Sequence, residues 1–443
     1  MSRSERSADI AILGGGSATS ALVNALHGDP SVVVFEPGLV GGSCPFDACI
    51  PSKSLLHDAA VGRSWRTASE RRLDLTDHRS DTRHAEGLLD AGDVQLIRER
   101  ASIIDEHRVA SDSTVVTAEH IVLATGAVPV TPELDGLDEV ADHVWYSADA
   151  LRTTTPPRRL VVAGGGVVGC ELTQLFTGFG TEVVVIEPES RLFAGFHPGV
   201  SRAIESALRS TGADLRLGAT PTAVRRHGDG VAVFDDRDDE HRADRLLLAV
   251  GRRPAVEGIG LESLGLSTTS PLPVDEHGRV RSGGSIWAIG DVAGREQYTH
   301  AAVHHARVVA DHLAGSAVRR LDDVVPAACM FIDPPVMTVG PSHADTVDAP
   351  DVMWVSVDVA ATAARATTDE RNGVLALAAD RRTRRLVAAH GIGAGFDELV
   401  HAVVVAIDGD VPVDRLVQSM VPFPTMGDVL HAGLRRLLPT LDP

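Results

Sequence analysis

Three residues in one short stretch have side chains suited to redox chemistry. GGSCPFDACIPSK, residues 41–53, holds Cys44, Cys49 and Lys53. Lys53 is the one lysine among 41 Lys and Arg residues. A close cysteine pair can be a redox disulfide, half of a metal site, or two buried thiols. A zinc site would need a second ligand pair, and Cys170 and Cys329 offer no such spacing, so no resident metal is expected. A disulfide has its own geometric demand. Residues five apart in a regular helix have Cα atoms roughly 8–9 Å apart, and a disulfide needs about 4.4–6.8 Å. A bond between Cys44 and Cys49 therefore requires a distorted stretch. Pro45 and Pro51 flank that irregularity, and a helix can run on from Ser52 through SLLHDAAV. Two unpaired buried cysteines remain the alternative on these residues alone.

The elements that would position this chemistry are written twice. IAILGGGSATSALVNALHGDPSVVVFEP ends at residue 37, and LVVAGGGVVGCELTQLFTGFGTEVVVIEP ends at residue 188. Each reads as apolar strand, glycine turn, helix, second apolar strand and Glu. Continuous apolar runs suit strands buried on both faces of a parallel sheet. In GxGxxG the first glycine permits a tight turn, the second lets backbone approach a pyrophosphate, and the third packs helix on strand. The second copy has Gly164, Gly166 and Gly169. The first has Gly14 and Gly16 but Thr19 third, where a side chain is expected to crowd the helix–strand contact. Glu36 and Glu187 stand where a carboxylate binds ribose hydroxyls. Two dinucleotides are therefore expected. Glu187 would repel a 2′-phosphate and favours NADH over NADPH, with Arg191 the residue that argues the other way.

Composition bounds the rest. The chain of 443 residues has room for about three domains. Its net charge of −20 argues against a general nucleic-acid or anionic-membrane binder. The sequence contains no apolar run long enough for a membrane span. The start, MSRSERSADIAIL, lacks the long apolar segment of a signal peptide. A cytoplasmic protein is expected, and with four cysteines a disulfide framework is not.

GG-S-C-PFDA-C-IPSK resembles the redox-disulfide signature of the flavin-dependent pyridine nucleotide–disulfide oxidoreductases. These include dihydrolipoamide dehydrogenase, glutathione reductase and mercuric reductase. VLATGAVP (122–129) resembles the family's second flavin motif, LLLAVGRRP (246–254) its hinge strand, and IWAIGDVAG (286–294) the motif whose Asp, here Asp291, holds the flavin ribitol. THAAVHHARVVADHLAG follows, as the family's helix does. The resemblance implies an α/β fold with two Rossmann-like domains and a C-terminal α+β dimerisation domain. Its parts would be 1–130 and 255–325 for FAD, 131–254 for NAD(P), and 326–443 for dimerisation as a homodimer. It implies that NADH passes hydride to FAD, which opens the Cys44–Cys49 disulfide. Cys49 would face the flavin and Cys44 would exchange with a small-molecule acceptor. Lys53 would sit beside the flavin ring and pair with Glu171. Gly42, Ser43, Thr125, Gly126, His300, Val168 and Gly251 would join the cofactor-binding residues.

Two places depart from the family. VPFPTMGDVLHAG (421–433) puts Phe423 at the position of the family's catalytic histidine and Asp428 at that of its glutamate. Phenylalanine cannot transfer a proton, and general-base help is typically worth about 10²–10⁴-fold. His431 is the best compensating base by segment, while His57, His304 and His305 read as structural. Mercuric reductase-like branches also carry an aromatic residue here, yet this chain ends LRRLLPTLDP without their C-terminal cysteine pair. The stretch 62–108 is short and rich in Arg, Asp and His, and reads as a solvated helix or loop. The leading reading is an FAD- and NAD(P)H-dependent oxidoreductase acting on a small disulfide, a quinone or a soft metal ion. A diaphorase-like reductase with vestigial cysteines is the second reading, and a flavin-binding redox sensor the non-enzymatic one.

Overall fold

The computed structural model describes residues 3–266, 268, 272–280, 284–316, 319–367 and 373–442. The chain divides into two compact units, one of residues 1–51, 71–130 and 252–323, the other of 52–70, 131–251 and 324–443.

The first unit is built on the strand Ser4–Leu13. It pairs in parallel with Val32–Phe35 on one side and Thr114–Leu123 on the other, with Ile12 opposite both Val34 and Val122. Val94–Ile97 extends one edge, Ile286–Ala288 joins Thr114–Leu123 in parallel, and an antiparallel pair, Ser102–Asp105 and Arg108–Ala110, adds to the sheet. The apolar runs are buried on both faces, as a parallel sheet covered on both sides requires. Ala127–Pro129 and Arg252–Pro254 form a separate antiparallel pair within this unit.

The second unit holds another parallel sheet, ordered Asp214–Leu217, Glu182–Glu187, Arg159–Ala163, Arg245–Leu248, Val144–Trp145. It also holds a three-stranded antiparallel sheet, Pro221–His227, Gly230–Asp235 and Glu240–Ala243. Its C-terminal part is a five-stranded antiparallel sheet, Ala327–Met330, Val336–Val339, Arg385–Ile392, Val374–Asp380, Val352–Asp358. The helices Phe396–Asp408 and Met426–Leu437 pack on that sheet through Phe396, Val403, Val429 and Leu434. These sheets and helices make up the mixed α/β architecture that the family resemblance implies.

Three local expectations need correction. The helix after the cysteines begins at Cys49, not Ser52, and runs to Ala60. Pro51 fits because its missing N–H falls in the first turn. Thr19 does not crowd its turn: it is fully buried, and its hydroxyl donates to the Gly14 carbonyl at 2.6 Å. Finally, 62–108 is not simply solvated. It contains the helices Trp65–Leu75 and Thr82–Leu89, and Ala68, Arg72, Thr76, Ala85 and Leu88 are buried.

Candidate active site

In the first unit the chain leaves Leu13 through Gly14, whose φ is +106°. A Cβ there would stand 2.3 Å from the Ala124 carbonyl oxygen, so only glycine makes this turn. Gly16 then starts the helix Ser17–Ala25, with no side chain capping its first N–H groups. Such a helix end is a receptor for phosphate. Glu36 is fixed by two backbone donors, Gly15 N–H to Oε2 and Gly38 N–H to Oε1, each at 2.7 Å. A cavity of about 420 Å³ opens beside it, lined by Gly14, Glu36, Arg100, Thr125, Arg253 and Glu257. The glycine turn, the open helix end and the adjacent cavity fit the adenosine diphosphate half of FAD.

The cysteine segment rests on the same turn. Gly41 N–H donates to the Gly15 carbonyl at 2.7 Å, and a Cβ on Gly42 would come within 3.0 Å of the Gly16 Cα. Gly42, at φ +71°, precedes the short helix Ser43–Phe46, which carries Cys44. That helix stops at Asp47 (φ −136°, ψ 0°), and the next starts at Cys49. The regular helical path between the cysteines is thus broken. Both cysteines are half-buried. Arg79 reaches the loop between them, ion-paired with Asp47 and donating to the Phe46 carbonyl at 3.4 Å. Cys49 Sγ lies 3.7 Å from Thr299 Oγ1.

Other expected flavin residues fall in this unit. Asp291 pairs with Arg252 at 2.9 Å in a 3₁₀ turn spanning Gly290–Ala293. Thr125 donates its hydroxyl to the Ala255 carbonyl at 2.7 Å, and Gly126 has φ +76°. His300 is exposed and stacks on Tyr298, while His304 faces the Leu321 carbonyl. His305 is buried, its Nδ1 accepting the Gly290 N–H at 3.2 Å. Burial lowers the His305 pKa to about 4, so it is a neutral structural group.

The second unit repeats the dinucleotide turn. Gly164 has φ +104°, and a Cβ there would meet the Ala249 oxygen at 2.5 Å. Gly166 precedes the helix Val167–Gly178, and Val168 in its first turn is exposed. A Cβ on Gly169 would lie 2.0 Å from the Gly164 oxygen. Glu187 is held by Gly165 N–H at 2.6 Å and Glu189 N–H at 2.9 Å. Gly251 has φ +122° and open space at its Cβ position. Arg191 is engaged with the Ala194 carbonyl at 2.6 Å.

Lys53 lies one turn beyond Cys49 on the helix Cys49–Ala60. Its ammonium pairs with Glu171 Oε2 at 2.7 Å. Glu171 is nearly buried, and its Oε1 accepts the Phe331 N–H at 2.9 Å. The Phe331 ring sits 5.0 Å from the ammonium, so the cation meets a carboxylate and a π face together. Lys53, His57, Gln174, Phe331, Asp333 and Asp397 line a cavity of about 190 Å³.

The remaining candidates are elsewhere. His431 Nε2 is 2.8 Å from the Val417 carbonyl, and Asp428 N–H donates to the Thr425 carbonyl. Phe423 is 75% exposed and Met420 98%. Cys170 is buried and its thiol is pushed up by burial, which makes it inert. No group of three or more His, Cys, Asp or Glu among the described residues is placed to hold a metal ion. Nor is any helix among them long and apolar enough to cross a membrane.

Sequence reading missed Thr299, Arg79, Arg252 and Phe331. Only the Arg-rich composition of 62–108 pointed toward Arg79, and it did not single that residue out.

Residues 8–306 match the model for pyridine nucleotide-disulphide oxidoreductases, and residues 326–432 match the dimerisation domain of the same family. A mercuric reductase of Streptomyces lividans is 32% identical over 95% of this chain and 94% of its own. A dihydrolipoyl dehydrogenase of Pseudomonas aeruginosa is 31% identical over 96% and 97%. Among solved structures, the Cu(II) complex of the HOCl-induced flavoprotein disulfide reductase RclA from Escherichia coli superposes with a TM-score of 0.89. It covers 99% of this chain and 100% of its own at 26% identity. This chain belongs to the pyridine nucleotide-disulphide oxidoreductase family, whose members are FAD-dependent enzymes that use a nicotinamide cofactor.

Proposed function

We propose that this protein uses NADH to open a Cys44–Cys49 disulfide and spends the reduced pair on a small acceptor. The observation that carries this reading is the helix Cys49–Ala60. It has Cys49 at its start and Lys53 on the same face one turn later, with Lys53 clamped by Glu171. FAD, when bound, supplies the two-electron relay between nicotinamide and disulfide. The balance is simple: one hydride from NADH and one disulfide give NAD⁺, one thiolate and one thiol. Lys53 holds a positive charge where reduction adds negative charge, and Glu171 keeps that ammonium oriented. Glu187, with both oxygens occupied by backbone donors, presents a fixed carboxylate that favours a free ribose 2′-hydroxyl over a phosphate.

The acceptor we propose is a soft metal ion or a small disulfide that is reduced without an imidazole base, because Phe423 stands where the family places one. Relatives named for mercury and a neighbour titled as a Cu(II) complex support the metal branch, since paired thiolates suit soft metals. Exposed Phe423 and Met420 in the dimerisation domain support pairing with a second copy. A cytoplasmic setting, where NADH is available, suits this chemistry.

Anaerobic titration with NADH tests the reading. A long-wavelength thiolate band should rise in the wild type and be missing in Cys49→Ser. Bleaching of the yellow colour with no such band in the wild type would favour a diaphorase with idle cysteines. Turnover with Hg²⁺, Cu²⁺, lipoamide, glutathione disulfide and a quinone then identifies the acceptor class.

A further inference from the structure

Cys49 and Thr299 are separated by 250 residues in sequence, yet Sγ and Oγ1 lie 3.7 Å apart within the first unit. Thr299 is the first residue of the 15-residue helix Thr299–Leu313, which follows Tyr298 in extended backbone. While Cys49 is a thiol, either group can donate. A thiolate has no proton, so once Cys49 is ionised only the threonine hydroxyl can donate. The first turn of the helix adds the positive end of its dipole on the same side. The chain's other thiols illustrate the opposite environment. Cys329 is pushed up to about 11 by burial and by Asp397 and Glu398, and Cys170 is raised by burial and two glutamates.

We propose that Thr299 is a positioning residue that donates its hydroxyl to the Cys49 thiolate and so selects Cys49 as the ionised member of the reduced pair. The inference rests on the disulfide reading above. No atom is transferred in this step: the hydroxyl reorients and its hydrogen bond to sulfur is charge-assisted.

The test is site-resolved alkylation. Holoprotein is reduced, freed of excess dithiol and treated with iodoacetamide across a pH series, and Cys44 and Cys49 are quantified separately by mass spectrometry. Thr299→Val keeps the shape and removes the donor. It should slow Cys49 alkylation at pH 7 about tenfold, the size expected for losing one hydrogen bond to a charged group. The Cys49 profile should move to higher pH and the Cys44 profile should stay in place. Thr299→Ser should restore the wild-type profile. Thr299→Ala serves as a second donor-free variant should the valine protein fail to fold. An unchanged Cys49 profile in the donor-free proteins overturns the role of Thr299. A wild-type Cys49 that alkylates like an ordinary thiol, with no long-wavelength band on NADH addition, overturns the disulfide reading instead.

Discussion

The two dinucleotide turns share their first-glycine geometry and their glutamate contacts, and part at the third position of the motif. Gly14 and Gly164 have nearly the same positive φ, +106° and +104°, and each is pressed against a carbonyl of the neighbouring strand's end. Glu36 and Glu187 are each held by two backbone N–H groups at equivalent places. At the third position the turns part. Gly169 leaves no room for a side chain, whereas Thr19 occupies the corresponding place and bonds the Gly14 oxygen. A third glycine is thus one solution to helix–strand contact, and a hydrogen-bonding β-branched residue is another.

The largest expected effect comes from forcing the threonine of the first turn onto the second turn. Gly169→Thr places a Cβ 2.0 Å from the Gly164 oxygen, and should cost about 3 kcal/mol or more. Thermal unfolding and the KM for NADH measure it. A protein with unchanged melting would mean that the two turns are interchangeable and the comparison is empty.

Acid should separate the units next. Burial holds His197 and His390 of the second unit, and His305 of the first, at about 4. His343 and Arg191 beside His197 push in the same direction. Unfolded histidine titrates near 6.5, so these groups add stability that is fully present above about pH 6.5 and is lost as pH falls through about 4. For fully buried His390 the contribution is on the order of 3 kcal/mol. Hydrogen exchange between neutral pH and pH 4 should open the second unit first, and His390→Asn should flatten the dependence. Earlier opening of the first unit would contradict this ranking.

A smaller effect distinguishes the cofactors. Glu187→Gln keeps the shape and should weaken the ribose contact proposed for this carboxylate. KM for NADH should rise about tenfold, with flavin content unchanged. Glu36→Gln should do the reverse and loosen flavin at unchanged KM for NADH, read from flavin released on dilution. The smallest effect belongs to Thr19→Val, which loses one neutral hydrogen bond and should cost about 1 kcal/mol in denaturant titration.

What was legible in the sequence follows from distance along the chain. The glycine turns and their terminal glutamates are local, with partners within about twenty residues, so spacing alone placed them. The break between Cys44 and Cys49 was legible only as the condition for a disulfide, which a regular helix cannot span at that spacing. The pairing of Lys53 with Glu171, 118 residues apart, came only with the family resemblance. Thr299 beside Cys49 and Phe331 over Lys53 had no such signal, because single Thr and Phe residues carry no spacing pattern. Thr19 was misjudged for a related reason. Its size was visible, but the direction of the Gly14 carbonyl was not. Arg79 lay in a charge run that is usually solvent-facing, and its value depends on a loop 32 residues away.

Lys53, clamped by Glu171 and capped by Phe331, is also the chain's single ε-amine. It therefore serves as a unique handle for bioconjugation. An acylating reagent has one side chain to find, and a lysine-specific protease has one bond to cut, between residues 53 and 54. Because that amine is ion-paired and lines a cavity, its acylation rate, read from intact mass, reports occupancy of the cavity without any engineered label.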